Sequence, residues 1–255
     1  MVKIQYASDL HLEFLENTLY LETHPLQPVA DILVLAGDTG YLGDEGFVKH
    51  PFWDWASENY KQVICCMGNH EFYKYYDIAT LSDGYCLEIR NNVHSYYNAV
   101  LTLDGTDFFI STLWSKIPLR EAYYTEQVIS DFHRILYNGE LLSFAEFNRQ
   151  HEHCLNFIKD AVARSSAKNK IVVTHHVPSF RMQCPKFADS LANGAFTVEL
   201  EDYIAESGID YWIFGHSHYN TDAVIGKTTC LCNQLGYVSY KENDSFDSGK
   251  YIQID

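Results

Sequence analysis

Apolar residues in this chain gather in short runs, and several runs stop abruptly at polar residues. Residues 3–7, 31–36, 62–67, 170–174 and 210–214 are five such runs. Short apolar runs bounded by turn residues predict strands, and runs apolar at both parities predict strands buried on both faces. The five endings are Ser8-Asp9-Leu10-His11, Gly37-Asp38, Gly68-Asn69-His70-Glu71, His175-His176-Val177-Pro178 and Gly215-His216-Ser217-His218.

Between the first runs the period changes. Residues 47–60 predict a helix with Phe52, Trp55 and Ala56 on its apolar side, and a second helical segment is expected over 78–90. This β-α-β alternation argues for a layered α/β architecture. Residues 97–103 and 108–113 flank Asp104-Gly105 and predict a hairpin. Residues 116–140 are polar and aromatic, so a partly helical cap, spanning 114–140 at its widest, is expected there. A helix over 143–167 carries Phe144, Phe147, Leu155, Ile158 and Val162 as one stripe. Another, over 198–207, is stopped by Gly208, and residues 223–255 read as successive strands with turns at Gly226-Lys227 and Asn243-Asp244. No repeat, low-complexity tract or linker interrupts the pattern, so residues 1–255 are expected to form one domain.

Charge changes the picture. The 255 residues carry a formal net charge of −16, which argues against long nucleic acid held on a basic face. An acidic protein acting on an anion needs local positive charge, and a metal centre is one source. The seven cysteines include no zinc-type pairs, and Cys65, Cys66, Cys230 and Cys232 lie in apolar runs as buried free thiols would. A reducing, cytoplasmic setting is therefore expected, with no membrane segment, because Met1-Val2-Lys3 leads straight into a strand. Nothing in the pattern bears on oligomeric state.

Polar residues at the carboxyl ends of strands in an open α/β sheet stand where ligands bind. Asp9 and His11 are two apart, as are His216 and His218, and in an extended chain such pairs point the same way. Each pair would then bite on one ion. Asp9, His11, Asp38, Asn69, His175, His216 and His218 are too many donors for one tetrahedral ion. They suit two ions, with a carboxylate such as Asp38 bridging. Imidazole and oxygen donors without thiolate favour manganese, iron, zinc or cobalt over calcium or magnesium. Taken singly, each motif is an ordinary turn; five in this order are not.

Asp9-Leu10-His11, Gly37-Asp38, Gly68-Asn69-His70-Glu71, His175 and Gly215-His216-Ser217-His218 together resemble the calcineurin-like metallophosphoesterase superfamily. The resemblance implies a four-layer α/β/β/α sandwich of two mixed sheets flanked by helices, with a dinuclear centre at the carboxyl ends of strands. It implies that Asp9, His11 and His218 hold one metal, that Asn69, His175 and His216 hold the other, and that Asp38 bridges. His176 is left outside. Thr112-Leu113-Trp114-Ser115, Ser130-Asp131-Phe132-His133-Arg134-Ile135 and Cys232-Asn233-Gln234-Leu235-Gly236-Tyr237 are similar to a bacterial subgroup of small phosphohydrolases. One departure stands out: Gly37-Asp38-Thr39-Gly40 lacks the downstream Asp-Arg-Gly of phosphoprotein phosphatases, and with it a phosphate-clamping arginine.

The expected function is a metal-dependent phosphohydrolase cleaving a small phosphomonoester or phosphodiester through a dimetal-bridged hydroxide. Its cofactors would be two divalent or mixed-valence ions, manganese, iron or zinc. His70 and Asp38 are the expected catalytic residues, with His70 protonating the leaving oxygen. Glu71 would either support them from behind or be an exposed helix-start carboxylate. Asp131, His133 and Arg134 are the candidate substrate-binding residues, with the 179–195 loop beside them. The rival readings are a nucleotide or cyclic-nucleotide phosphodiesterase and a non-catalytic metal-binding interaction scaffold.

Overall fold

Alternate side chains of the apolar runs enter different layers, and this sets the architecture. The computed structural model describes residues 1–254. In chain order it begins with β1 (Val2–Ala7), α1 (Leu15–Thr23), β2 (Ile32–Ala36), α2 (Pro51–Asn59) and β3 (Gln62–Cys66). Then come β4 (Tyr76–Asp77), β5 (Tyr85–Arg90), β6 (Val93–Tyr97), β7 (Ala99–Leu103) and β8 (Thr106–Ser111). The middle contains α3 (Ala122–Val128), α4 (Asp131–Arg134), β9 (Ile135–Tyr137), β10 (Glu140–Leu141) and α5 (Phe144–Arg164). The remaining elements are β11 (Asn169–Thr174), α6 (Glu201–Glu206), β12 (Tyr211–Phe214), β13 (Ala223–Ile225), β14 (Thr228–Cys232) and β15 (Tyr251–Ile254).

Two six-stranded mixed sheets, ordered β15-β1-β2-β3-β6-β5 and β13-β14-β12-β11-β8-β7, stack face to face. Ile32, Val34 and Ala36 of β2 and Ile64 and Cys66 of β3 meet Phe108, Ile110, Ile171, Val173 and Ile213 between the sheets. The intervening residues Leu33, Leu35, Val63 and Cys65 face outward, onto Trp53 and Ala56 of α2 and Leu21 of α1. On the second sheet, Phe109, Val172, Trp212 and Phe214 pack against Ile158 and Val162 of α5 and Ile204 of α6. Strands covered on both faces need apolar residues at both parities, as these runs have. The order of layers is helix, sheet, sheet, helix. β4, β9 and β10 form a small separate sheet beside Trp114 and Phe147.

Several expectations met the structure directly. The Asp104–Gly105 hairpin joins β7 and β8, with Leu103 opposite Thr106. α5 begins where Ser143 accepts a hydrogen bond from Glu146 N. α2 starts later than the apolar spacing implied, because Pro51 occupies its first turn and the His50 side chain caps Phe52 N. The helix expected over 78–90 is not there. Only Ile78–Thr80 makes a short 3-10 turn, and Tyr85–Arg90 is a strand paired antiparallel with β6. Pairing across the turn at residues 91–92 satisfies its backbone, which outweighs local helix propensity. The helix expected over 198–207 is confined to Glu201–Glu206, and residues 242–245, expected as a turn between strands, form a 3-10 helix. Among the described residues, no helix is long and apolar enough to cross a membrane. Cys65, Cys66, Cys230 and Cys232 are free and buried.

Candidate metal centre

The carboxyl ends of β1, β2 and β3 in one sheet and of β11 and β12 in the other open into one volume. The backbone there is not extended. Asp9 has φ 55°, His11 47°, Asp38 53°, His216 76° and His218 49°, all in the left-handed region that non-glycine residues rarely occupy. Asp9/His11 and His216/His218 are therefore not the extended pairs that their i, i+2 spacing predicts, although the side chains still converge. Left-handed residues on either side of Leu10 and of Ser217 aim them. Cross-strand hydrogen bonds hold those turns: Asp9 N donates to Gly37 O at 3.0 Å and His11 N to Asp38 O at 2.9 Å. His216 N donates to both Asp9 oxygens at 3.1 Å, and His218 N to Gln234 Oε1 at 2.6 Å. Two glycines make the crowding possible. A Cβ on Gly68 would lie 2.2 Å from Asp38 Oδ1, and one on Gly215 2.6 Å from Asp9 Oδ2.

The side chains sort into two groups about Asp38. In one, His218 Nε2 lies 3.3 Å from Asp9 Oδ1 and 3.1 Å from His11 Nε2, which is 3.8 Å from Asp38 Oδ2. In the other, His175 Nε2 lies 3.0 Å from Asn69 Oδ1, 3.1 Å from His216 Nδ1 and 3.2 Å from Asp38 Oδ1. Asp38 thus turns one oxygen to each group. Neighbouring ligands on one octahedral ion at about 2.1 Å stand about 3 Å apart, so the spacing fits cation coordination.

The outer nitrogens make the same case. His11 Nδ1–H donates to Glu13 Oε1 at 3.0 Å and His218 Nδ1–H to Glu242 Oε2 at 2.5 Å. His175 Nδ1–H donates to Ala36 O at 2.9 Å and His216 Nε2–H to Ala195 O at 3.3 Å. A proton on each outer nitrogen leaves the inner one a lone pair, the tautomer a metal ligand needs.

Electrostatics sharpen this. Burial opposes charge on Asp38, but His175 and its neighbours outweigh it and hold the carboxyl well below the usual range. Burial also opposes the His218 imidazolium, yet Asp9 and Glu242 lift it to about 10. Asp38 lifts His175 against burial to about 9. Burial pushes His216 down to about 3. The cluster on its own thus retains protons that a cation must displace, which makes affinity rise with pH.

Glu71, for which two roles were expected, is fully buried. It accepts hydrogen bonds from the backbone of Asp38 (3.0 Å), Thr39 (2.7 Å) and Gly68 (2.7 Å), tying the β2 and β3 loops together. His70 stacks on Tyr73, its ring centroid 4.2 Å away, with Nδ1 on Glu13 Oε1 at 2.7 Å and Nε2 3.2 Å from the Tyr237 hydroxyl. His176 lies behind His216, with ring centroids 4.1 Å apart, and joins neither group.

Of the three residues named in the 114–140 segment, Asp131 reaches the centre. Its Oδ1 accepts from Asn69 Nδ2 at 2.8 Å and from the Tyr73 hydroxyl at 2.7 Å. This orients the Asn69 amide with its oxygen toward His175. His133 and Arg134 are exposed and do not line the cavity; the Arg134 guanidinium lies 5.3 Å over the Tyr73 ring. Glu13, Tyr237 and Glu242 went unnoticed as site residues. Glu13 had a signal, since it continues the every-second-residue series of Asp9 and His11. Tyr237 closes the Cys232-Asn233-Gln234-Leu235-Gly236-Tyr237 stretch, which gives a tyrosine no distinct signal. Glu242 had no local signal, because it is brought to His218 by the 3-10 helix Glu242–Ser245.

A cavity of about 400 Å³ opens beside these groups, with Asp38, Asn69, His70, His216, His218 and Tyr237 on its wall.

Comparison with known proteins places the chain among relatives. A family model described as calcineurin-like phosphoesterase matches residues 2–220. Uncharacterized protein L509 of Acanthamoeba polyphaga mimivirus is 29% identical over 280 residues, covering 99% of this chain and 96% of its own. The crystal structure of phosphopantetheinyl hydrolase from Mycobacterium tuberculosis superposes with a TM-score of 0.71 at 17% identity, covering 99% of this chain and 96% of that one, a likeness of fold. TT1561 of Thermus thermophilus gives a TM-score of 0.47 at 11% identity, over 91% and 89% of the two chains.

Proposed function

The chain belongs to the calcineurin-like phosphoesterase family, and from that membership we propose a hydrolase that cleaves a small phosphomonoester or phosphodiester at two cations. Asp9, His11 and His218 would hold one cation, Asn69, His175 and His216 the other, and Asp38 both. The observation that carries this reading is Asp38, with one oxygen 3.2 Å from His175 Nε2 and the other 3.8 Å from His11 Nε2. Mixed imidazole and oxygen donors suit manganese, iron or zinc. Such cations, when bound, neutralise phosphoryl oxygens and bring the pKa of a water to near neutrality.

The rest is done by this chain's own side chains. Glu13 accepts the His70 Nδ1 proton and so turns Nε2 toward the cavity. Burial disfavours charge on that imidazole, but Asp38 and Glu13 raise its pKa, so His70 holds a proton to give. His70 Nε2–H protonates the departing alcohol oxygen as its bond to phosphorus breaks and the oxygen of the attacking water takes its place. The Tyr237 hydroxyl, 3.2 Å from Nε2, steers that proton toward the cavity. Asp131 keeps the Asn69 amide turned so that its oxygen faces inward.

Metal-stripped protein reconstituted with manganese, iron or zinc should hydrolyse members of a panel holding p-nitrophenyl phosphate, its bis ester, nucleotides, cyclic nucleotides and phosphopantetheine. Phosphopantetheine enters only because one fold neighbour is named for it. Preference for the bis ester and cyclic nucleotides would select the phosphodiesterase reading. Inertness of fully metal-loaded protein toward the whole panel would overturn hydrolysis.

A further inference from the structure

The cavity wall is divided by chemistry. Its floor is the clustered aspartate, asparagine and histidines, while the far side is built from two segments remote in sequence. Tyr124, Val128 and Ile129 come from α3 and its end, and Phe187 and Phe196 from the turns between β11 and α6, with the uncharged Ser130, Ser190, Asn193 and Thr197 among them. Ile129 and Phe196 pack partly against the core, but Tyr124 is 46% exposed, Val128 49% and Phe187 48%. Large apolar side chains left to water around one opening mark a surface awaiting an apolar partner.

The charges on that wall are equally one-sided. Among the described residues, no lysine or arginine lines the cavity, and beyond Asp38 its carboxylates are Asp131 and Glu242. Asp131 is buried, and its Oδ2 has no hydrogen-bond partner. Lys241, next to Glu242, is exposed and does not line the cavity, and the cations flanking the two apolar segments are turned to other work. Arg134 lies over Tyr73, Arg181 pairs with Glu201 at 2.6 Å, and Lys186 sits 5.0 Å over the Phe187 ring without lining the cavity.

We infer that the substrate bears its only anionic group at phosphorus and carries an uncharged, largely apolar alcohol along the Val128–Phe187 wall. This rests on the phosphoester-hydrolase reading and narrows it. The phosphoryl end is served by whatever cations the floor holds. A second phosphate or a carboxylate on the alcohol would instead stand among uncharged side chains, near Asp131 or Glu242, with no cation lining the cavity to meet it. Placing like charges together in a partly desolvated site is costly, so the wall selects by exclusion. An apolar alcohol of the same shape covers Tyr124, Val128 and Phe187 and gains by removing both surfaces from water. A cavity of about 400 Å³ is of the size that encloses a small organic molecule.

Binding tests this without needing turnover. The metal-loaded enzyme is titrated calorimetrically with hexylphosphonate and with its analogue ending in a carboxylate, neither of which can be hydrolysed. Hexylphosphonate is expected to bind about tenfold tighter or more, and Val128→Arg, a change at a half-exposed position, is expected to narrow or reverse that ratio. Equal or tighter binding of the carboxylated analogue, or a ratio unmoved by Val128→Arg, overturns the inference. Turnover of the ester panel is read separately. An inert enzyme that still prefers hexylphosphonate sinks hydrolysis and keeps the binding preference. An active enzyme that takes both equally does the reverse.

Discussion

Glu13 Oε1 lies 2.7 Å from Nδ1 of His70. The same oxygen accepts His11 Nδ1–H at 3.0 Å, so one carboxylate orients a proposed ligand and the proposed proton donor together. Burial would raise its pKa, but the hydrogen bonds from His11 and His70 hold it at about 2, and it stays ionised at neutral pH. At saturating metal, Glu13→Gln should lower kcat about 10- to 100-fold. His70→Ala should lower kcat about 10²- to 10⁴-fold while retaining its metal. If Glu13 acts through His70, the double variant will be little worse than His70→Ala. Wild-type kcat in Glu13→Gln would remove Glu13 from the mechanism.

Asp131 links the 114–140 segment to the centre through the Asn69 amide and the Tyr73 hydroxyl. Asp131→Ala leaves Asn69 Nδ2 with only the longer 3.3 Å bond to the Tyr73 hydroxyl, so the amide is held less firmly. Metal affinity, measured by competition with a chelator, should fall about 10- to 100-fold. Asp131→Asn, which can still accept, should recover part of the loss. Unaltered affinity in Asp131→Ala would show that the amide needs no such support.

Gly68 is required by space. A Cβ there would sit 2.2 Å from Asp38 Oδ1 and 2.7 Å from Asp38 N, and neither backbone can retreat without breaking the Glu71 contacts. Gly68→Ala should cost about 1–3 kcal/mol of stability. It should also reduce the metal retained after dialysis, as read by elemental analysis. Full metal content together with an unchanged urea midpoint would refute this packing argument.

His151 provides a pH test away from the centre. It is buried in α5, its Nδ1–H donates to Leu113 O at 3.1 Å, and burial lowers its pKa below 6.5. The unfolded chain therefore binds a proton that the folded chain resists. Its contribution to stability is intact above pH 6.5 and declines as pH falls from there toward the folded value, by at most about 1.4 kcal/mol per pH unit. Between pH 7 and pH 5 the urea midpoint of metal-free protein should fall less steeply in His151→Gln than in the wild type. Identical slopes would mean that this ring does not resist protonation.

Much of the layering is legible in the order of residues. The short uninterrupted apolar run ending at Ala36 reads as a strand covered on both faces, and it divides its side chains between the two layers. The stripe on 143–167 became α5, and Asp104–Gly105 became a hairpin, because a turn and a helix face are local properties. The 78–90 segment went astray for the opposite reason. Tyr85–Arg90 is a strand because β6 is there to pair with it.

The seven polar residues at the strand ends, and the chemistry their types allow, were set by the linear order, since parallel strands of one sheet deliver their carboxyl ends to one edge. Stacking the two sheets then joined the ends of β1, β2 and β3 to those of β11 and β12. Tertiary structure alone decided how those residues are aimed and what stands behind them. Left-handed φ at Asp9, His11, Asp38, His216 and His218 is tolerated only because neighbouring loops supply its hydrogen bonds. Glu242 meets His218 from 24 positions away, and Glu13 meets His70 from 57. Contacts at that separation are products of packing, and no stretch of sequence contains both partners.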